Sequence, residues 1–309
     1  MAAEARGSRV AVIGLGSMGF GMATALVSAG FAVAGYDVRP ETVEHFVAAG
    51  GQGAASPSVA AAEAAIVVVV VVNADQTEAA LFGPGGIGET ARPGTVVVSC
   101  ATMAPERARA LAARATAAGL HYLDAPISGG AQRAAQGELT ILASGSRAAF
   151  DAARPALEAL AATIHELGDE PGVGAAYKIV NQLLAGVHIV AACEAITFAK
   201  RLDLDLEKVY EVITGSAGNS WMFENRIPHV LAGDYAPRSA VEIFTKDLGI
   251  VADISRSERF ALPLAASALQ LFLMTASAGM GRDDDASVAR LYAQIAGLEL
   301  PARDEAMQA

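Results

Sequence analysis

The stretch Val10-Ala11-Val12-Ile13-Gly14-Leu15-Gly16-Ser17-Met18-Gly19 decides how the first half of the chain is read. Four apolar, partly β-branched residues predict a buried strand, and the glycines that follow predict a tight turn into a helix. The spacing is G-x-G-x-x-G. Gly14 permits the turn, Gly16 lets backbone approach a pyrophosphate, and Gly19 lets helix and strand pack closely. The helix start then offers unpaired N–H groups and the positive end of a dipole to phosphate oxygens. A glycine-rich turn alone is weak evidence. Asp37, 18 residues after Gly19 in Gly35-Tyr36-Asp37-Val38-Arg39, strengthens it, because a carboxylate at the end of the second strand suits the ribose hydroxyls.

That carboxylate repels a 2′-phosphate and so favours NAD over NADP. Arg39 pulls the other way, since an arginine there can accept the same phosphate, and Asp37 also has a plain reading as a solvated loop acid. The cofactor-contacting residues expected from the turn are Gly14, Leu15, Gly16, Ser17, Met18 and Gly19, with Asp37. Two later strand ends, at Asn73 and Thr102, lie where ligands of open α/β sheets bind, although both also suit turn or N-cap chemistry.

Outward from this motif the chain alternates. Strands are predicted at 9–13, 32–36, 66–72, 95–99, 121–124, 139–143 and 164–166, with Ala-rich helices such as 19–29, 40–49 and 105–117 between them. Alternation of this kind means βαβ units and a mostly parallel, doubly wound α/β sheet of Rossmann type. The run Ile66 to Val72 contains six consecutive valines, yet at seven residues it is far short of the roughly 20 needed to span a bilayer. It reads as a strand covered on both faces. After Gly168-Asp169-Glu170-Pro171-Gly172 the strands stop, and helices are predicted over 175–202, 205–214, 240–257, 263–278 and 286–295. Two domains follow: residues 1–170 for the dinucleotide, and 171–309, all-α, for substrate and assembly, joined by a long helix. A ligand is expected in the cleft between them.

Composition excludes several functions. At 309 residues and a net charge of −11, the chain is a poor partner for nucleic acid or an anionic membrane. Its two cysteines, Cys100 and Cys193, match no metal or redox spacing and fit a reducing cytoplasm. No signal peptide is evident at the start. Asp283-Asp284-Asp285 looks superficially like a metal cluster and reads better as a helix N-cap, so no metal is expected.

Chemistry concentrates in Tyr177-Lys178-Ile179-Val180-Asn181-Gln182. Only four lysines, Lys178, Lys200, Lys208 and Lys246, stand against eighteen arginines. Lysine, unlike arginine, has a pKa that burial lowers toward working pH. Lys178 and Asn181 share a face of a helix whose remaining circumference, including Val180 and Leu184, is apolar. Such a helix is expected to be buried nearly all round, with His188 a satisfied core histidine. A lysine snorkelling to water is the commoner fate, but it explains Asn181 less well. Upstream, Asp124-Ala125-Pro126-Ile127-Ser128-Gly129-Gly130 presents a hydroxyl and bare N–H groups suited to a carboxylate, or is simply a glycine loop.

These stretches together resemble the β-hydroxyacid dehydrogenase family, which includes 3-hydroxyisobutyrate dehydrogenases. The likeness runs over essentially the whole chain: GLGSMG, DAPISGG, G-x-G-x-x-x-K-x-x-N from Gly172 to Asn181, and Lys246-Asp247-Leu248-Gly249. It implies Lys178 as catalytic acid/base, Asn181 as its substrate-orienting neighbour, and Ser128, Gly129 and Gly130 as the carboxylate site. It places Lys246 against cofactor and substrate and Thr102 near the nicotinamide. It also implies a homodimer or homotetramer. The expected reaction is NAD-dependent oxidation of a small hydroxy acid, foremost L-threonate to 2-oxo-tetronate. Within the family the alternatives are 3-hydroxyisobutyrate oxidation and tartronate semialdehyde or glyoxylate reduction; a catalytically silent dinucleotide-binding module would lack Lys178. Asn219, in Ala217-Gly218-Asn219-Ser220-Trp221-Met222-Phe223-Glu224-Asn225-Arg226, is the expected partner of the extra hydroxyls of a polyhydroxy acid, unless that stretch is a helix end.

Overall fold

The computed structural model describes residues 9–302; the first eight residues, on which the expectation about a signal peptide bears, lie outside them. Strands β1 (Arg9–Ile13), β2 (Ala32–Tyr36), β3 (Gln52–Gly53), β4 (Ile66–Val69), β5 (Val96–Ser99) and β6 (His121–Asp124) form one sheet. Its order is β3-β2-β1-β4-β5-β6, and every neighbouring pair is parallel. A smaller sheet joins β7 (Ile127–Ser128), β8 (Leu139–Ala143) and β9 (Ala161–Glu166), with β7 antiparallel to β8. The helices between strands are α1 (Gly19–Ser28), α2 (Pro40–Ala48), α3 (Pro57–Ala61), α4 (Ala74–Phe82), α5 (Pro105–Ala117), α6 (Gly130–Gln136) and α7 (Arg147–Leu160).

Strand β1 shows why the sheet is buried on both faces. Val10 and Val12 pack into one cluster with Met22 and Leu26 of α1 and Phe150 of α7. Ala11 and Ile13 enter another with Ala60 of α3 and Leu111 of α5. Both clusters are almost fully enclosed, as a two-sided parallel sheet requires. The valine run is shorter as a strand than expected: it ends at Val69, and Val72 is 46% exposed. The chain must leave the sheet there, because Gln76 Oε1 takes the Val72 N–H at 2.9 Å and α4 begins two residues on.

Among the described residues no strand follows β9. Helices α8 (Val173–Arg201), α9 (Leu206–Thr214), α10 (Trp221–Leu231), α11 (Val241–Glu258), α12 (Pro263–Thr275) and α13 (Val288–Ala296) complete the chain. One compact unit ends at Ile179 and a second begins at Val180, so the division falls inside α8. The second unit is held by the stacked rings of Phe244 and Phe272, 5.1 Å apart, and by a buried pairing of Arg226 with Asp285 at 2.6 Å. Asp284 meets His229 at 2.9 Å and caps the turn at Ala286. The three consecutive aspartates are thus spent on basic side chains and a cap, Asp283 on Arg290.

Helix α8 departs from its expected burial. Tyr177, Val180 and Leu184 are 54%, 60% and 49% exposed, and His188 is only half-buried. Apolar character all round does not here mean enclosure all round.

Candidate active site

The glycine-rich turn links β1 to α1 as the motif requires. Gly14 has φ +95°, and a Cβ there would lie 2.3 Å from the Val70 carbonyl oxygen, so only glycine fits. At Gly16, by contrast, a Cβ would meet nothing within 4 Å. The backbone therefore faces open space where a pyrophosphate must approach. Met18 at the N-cap of α1 supplies no side-chain hydrogen bond to the helix start. These residues fit a dinucleotide.

Asp37 is more deeply engaged than a ribose-binding acid at a strand end need be. Its Oδ2 accepts the Leu15 N–H at 2.8 Å, and its Oδ1 accepts from the Arg39 backbone at 2.9 Å and from Arg39 Nε at 3.3 Å. The carboxylate fixes the glycine turn against the end of β2 while partly neutralising Arg39, whose side chain stays 56% exposed. Asn73 is the N-cap of α4, its Oδ1 accepting from Gln76 N at 2.9 Å. Thr102 is not a cap, since Ala104 holds that position for α5; Thr102 is half-buried.

The end of β6 and the segment after it grip the start of α8 at two points. Asp124 Oδ2 accepts the N–H groups of Gly172 and Ala175 at 2.9 and 2.8 Å, and the Ile127 carbonyl accepts Lys178 Nζ at 2.8 Å. Close approach demands glycine here as well: a Cβ on Gly174 would lie 2.4 Å from the Leu142 carbonyl oxygen. Lys178 is 7% exposed, so it does not snorkel to water. Ser128 pairs with Thr140 across β7 and β8, and Gly129 and Gly130 follow at φ +136° and +78°. Burial pushes the Asp124 carboxyl up to about 6, against the opposing pull of the Ala175 and Gly172 N–H groups, Ser144 and Arg109. Burial, with Asp124 adding to it, likewise pushes the Cys100 thiol up to about 12, which leaves it inert.

In the second unit four polar groups form a chain. Lys246 Nζ lies 2.7 Å from Asp247 Oδ1, Gln182 Nε2 donates to Asp247 Oδ2 at 2.5 Å, and Asn181 Nδ2 donates to Gln182 Oε1 at 3.0 Å. Sequence reasoning singled out the two ends and missed Gln182 and Asp247, which touch across 65 positions. Both stand inside motif stretches, Gln182 at the end of Tyr177 to Gln182 and Asp247 in Lys246-Asp247-Leu248-Gly249, but nothing in the sequence sets one against the other. Asn219 sits apart from this chain. Its Nδ2 donates to the Thr214 carbonyl at 3.2 Å and to Glu224 at 2.5 Å, clasping the turn before α10, whose N-cap is Ser220.

A parallel sheet in this strand order, with a glycine turn fit for pyrophosphate after β1, defines a dinucleotide-binding protein of Rossmann type. Comparison with known proteins agrees. Residues 9–168 match the NAD binding domain of 6-phosphogluconate dehydrogenase, and residues 172–292 match the NAD-binding domain of NADP-dependent 3-hydroxyisobutyrate dehydrogenase. The chain is 50% identical to an L-threonate dehydrogenase of Cupriavidus necator, over 96% of this chain and 99% of that protein. It is 46% identical to an L-threonate dehydrogenase of Pectobacterium atrosepticum, covering 96% and 97%. A crystal structure described as 3-hydroxyisobutyrate dehydrogenase from Salmonella typhimurium superposes with a TM-score of 0.88 at 46% identity, covering 92% of this chain and 99% of that one. The protein belongs to the β-hydroxyacid dehydrogenase family, and its cofactor is NAD. Two of its helices, Val173–Arg201 and Pro263–Met280, are long and apolar enough to cross a membrane by length and composition. Both lie within the span that matches the dehydrogenase family.

Proposed function

We propose that the protein oxidises L-threonate to 2-oxo-tetronate, with Lys178 as the acid/base. The observation that carries this reading is Lys178 itself, buried and held by the Ile127 carbonyl beside Ser128-Gly129-Gly130. Bound NAD supplies the hydride acceptor. The chain does the rest. Ser128 and the N–H groups of Gly129 and Gly130 hold the substrate carboxylate, which fixes the carbon bearing the reacting hydroxyl. The Ile127 carbonyl fixes the nitrogen of Lys178, and that nitrogen takes the hydroxyl proton as the carbonyl forms. In reduction the ammonium returns the proton to the developing alkoxide. Arginine cannot do this, because it stays protonated.

The relatives named as L-threonate dehydrogenases support a polyhydroxy acid, and the Salmonella structure's name keeps 3-hydroxyisobutyrate as the competing substrate. Asn219, with its NH₂ group committed to Thr214 and Glu224, has its Oδ1 to offer an extra hydroxyl. Lys246 completes the substrate and nicotinamide contacts, and Asn73 and Thr102 line the cofactor. In this reading residues 1–170 bind NAD, and residues 171–309 serve substrate and assembly. The exposed apolar side chains of α8, with Leu264 and Leu273 of α12, favour a homodimer or homotetramer. Buried free cysteines fit a cytoplasmic enzyme. The deciding experiment is a panel of hydroxy acids with NAD, read as NADH absorbance. L-threonate should give the highest kcat/KM; a higher value for 3-hydroxyisobutyrate would overturn the substrate assignment and leave the lysine chemistry standing.

A further inference from the structure

Asn181 and Gln182 are neighbours on α8, and adjacent helical residues point about 100° apart, so their side chains do not normally meet. Here they do, at 3.0 Å, and the reason lies in Asp247. The Asp247 carboxylate is 1% exposed, with Lys246 Nζ on one oxygen and Gln182 on the other. A carboxylate paired with an ammonium accepts hydrogen bonds and cannot donate them. Gln182 must therefore turn its NH₂ group to Asp247, and its carbonyl oxygen is left facing Asn181. Asn181 must in turn give Gln182 its own NH₂ group. The orientation of both amides thus follows from one buried negative charge, independently of how similar amide oxygen and nitrogen are in shape.

We infer that Asp247 and Gln182 are positioning residues that make Asn181 meet the substrate with its carbonyl oxygen. An amide set this way accepts a hydrogen bond from a substrate hydroxyl other than the reacting one, whose single proton goes to Lys178, and repels a carboxylate. It therefore reads the alcohol end of the hydroxy acid and helps exclude the reversed binding mode. The inference rests on the reading above that Asn181 faces substrate. Without the relay the Asn181 amide is free to flip, and the wrong orientation places two donors against a donating hydroxyl.

The test is a double-mutant cycle between Gln182→Met and Asn181→Ala, measured as kcat/KM for L-threonate with NAD. NAD affinity by fluorescence titration and thermal midpoint are measured on each variant. Gln182→Met leaves the Lys246–Asp247 pair in place. It is expected to lower kcat/KM about tenfold, the worth of one misdirected hydrogen bond. In the Asn181→Ala background it should change kcat/KM less than twofold, with NAD affinity unaltered throughout. A tenfold loss in both backgrounds would overturn the relay, because Gln182 would then act by another route. An Asn181→Ala variant with unchanged kcat/KM would instead remove the substrate-facing role of Asn181, a different failure. Should Gln182→Met not fold, Gln182→Leu, which likewise leaves the Lys246–Asp247 pair in place, carries the same expectation: its loss must shrink when Asn181 is alanine.

Discussion

Asp124 should make the protein less stable as pH rises from about 4 to about 6, and Asp124→Asn should remove that dependence. The carboxyl is 1% exposed, and burial lifts its pKa from an ordinary 3.8 to about 6 despite two N–H groups of α8 directed at it. The sign follows from proton counting. Between those two values the folded protein holds a proton that the unfolded chain has released, so raising the pH favours unfolding. The stabilisation is complete below about 3.8 and lost above about 6. At about 1.4 kcal/mol per pH unit, the gap corresponds to about 3 kcal/mol. Asparagine keeps a carbonyl for the Gly172 and Ala175 N–H groups but has no proton to exchange. Other carboxylates titrate in the same range, so the informative quantity is the difference between variant and wild type. Urea unfolding free energies, measured from pH 4 to 7, should show Asp124→Asn gaining on wild type by about 3 kcal/mol across the window and running parallel above pH 6.5. Parallel curves throughout would refute the argument: the buried carboxyl would then titrate as it does in water.

Lys178→Ala should cut kcat by about 10²–10⁴-fold while leaving NAD affinity, read by fluorescence titration, close to normal. A variant with kcat within a few fold of wild type would end the acid/base assignment. Asp37→Ser should weaken NAD binding twice over, through the lost ribose carboxylate and through the released Leu15 N–H, and should improve NADP kinetics as Arg39 is freed. Unchanged NAD and NADP kinetics would contradict that. Arg259, at φ +54° just beyond α11, holds a left-handed conformation suited to glycine, so Arg259→Gly should raise stability by about 0.5–1 kcal/mol in urea unfolding.

What could be read from the chain alone divides by distance along it. The turn from Val10 to Gly19 was legible because strand, turn and helix are encoded in ten consecutive residues, and β1, β2, β6 and β8 have their expected bounds. The two-residue strands β3 and β7 were not foreseen, since so short a pairing has no periodicity. Helix α10 is hard to see in the sequence, because Trp221 to Arg226 mixes aromatic, acidic and amide side chains that suit ligand chemistry equally well; its clearest local mark is Ser220 as N-cap. Lys178 is buried as expected, although its apolar neighbours Tyr177 and Val180 are exposed, and its partner could not be read from the chain, because a backbone carbonyl such as that of Ile127 has no signature in a sequence. The same limit hid Gln182 and Asp247. Each falls in or beside a motif, but only the fold sets a carboxylate against an amide 65 positions away. A motif thus names candidate groups by local spacing, while the partners that orient them emerge from tertiary contact. If Gln182 aims Asn181, the residue following the K-x-x-N pattern is as much a part of this site as the pattern itself, and it must be judged by what it hydrogen-bonds rather than by where it falls.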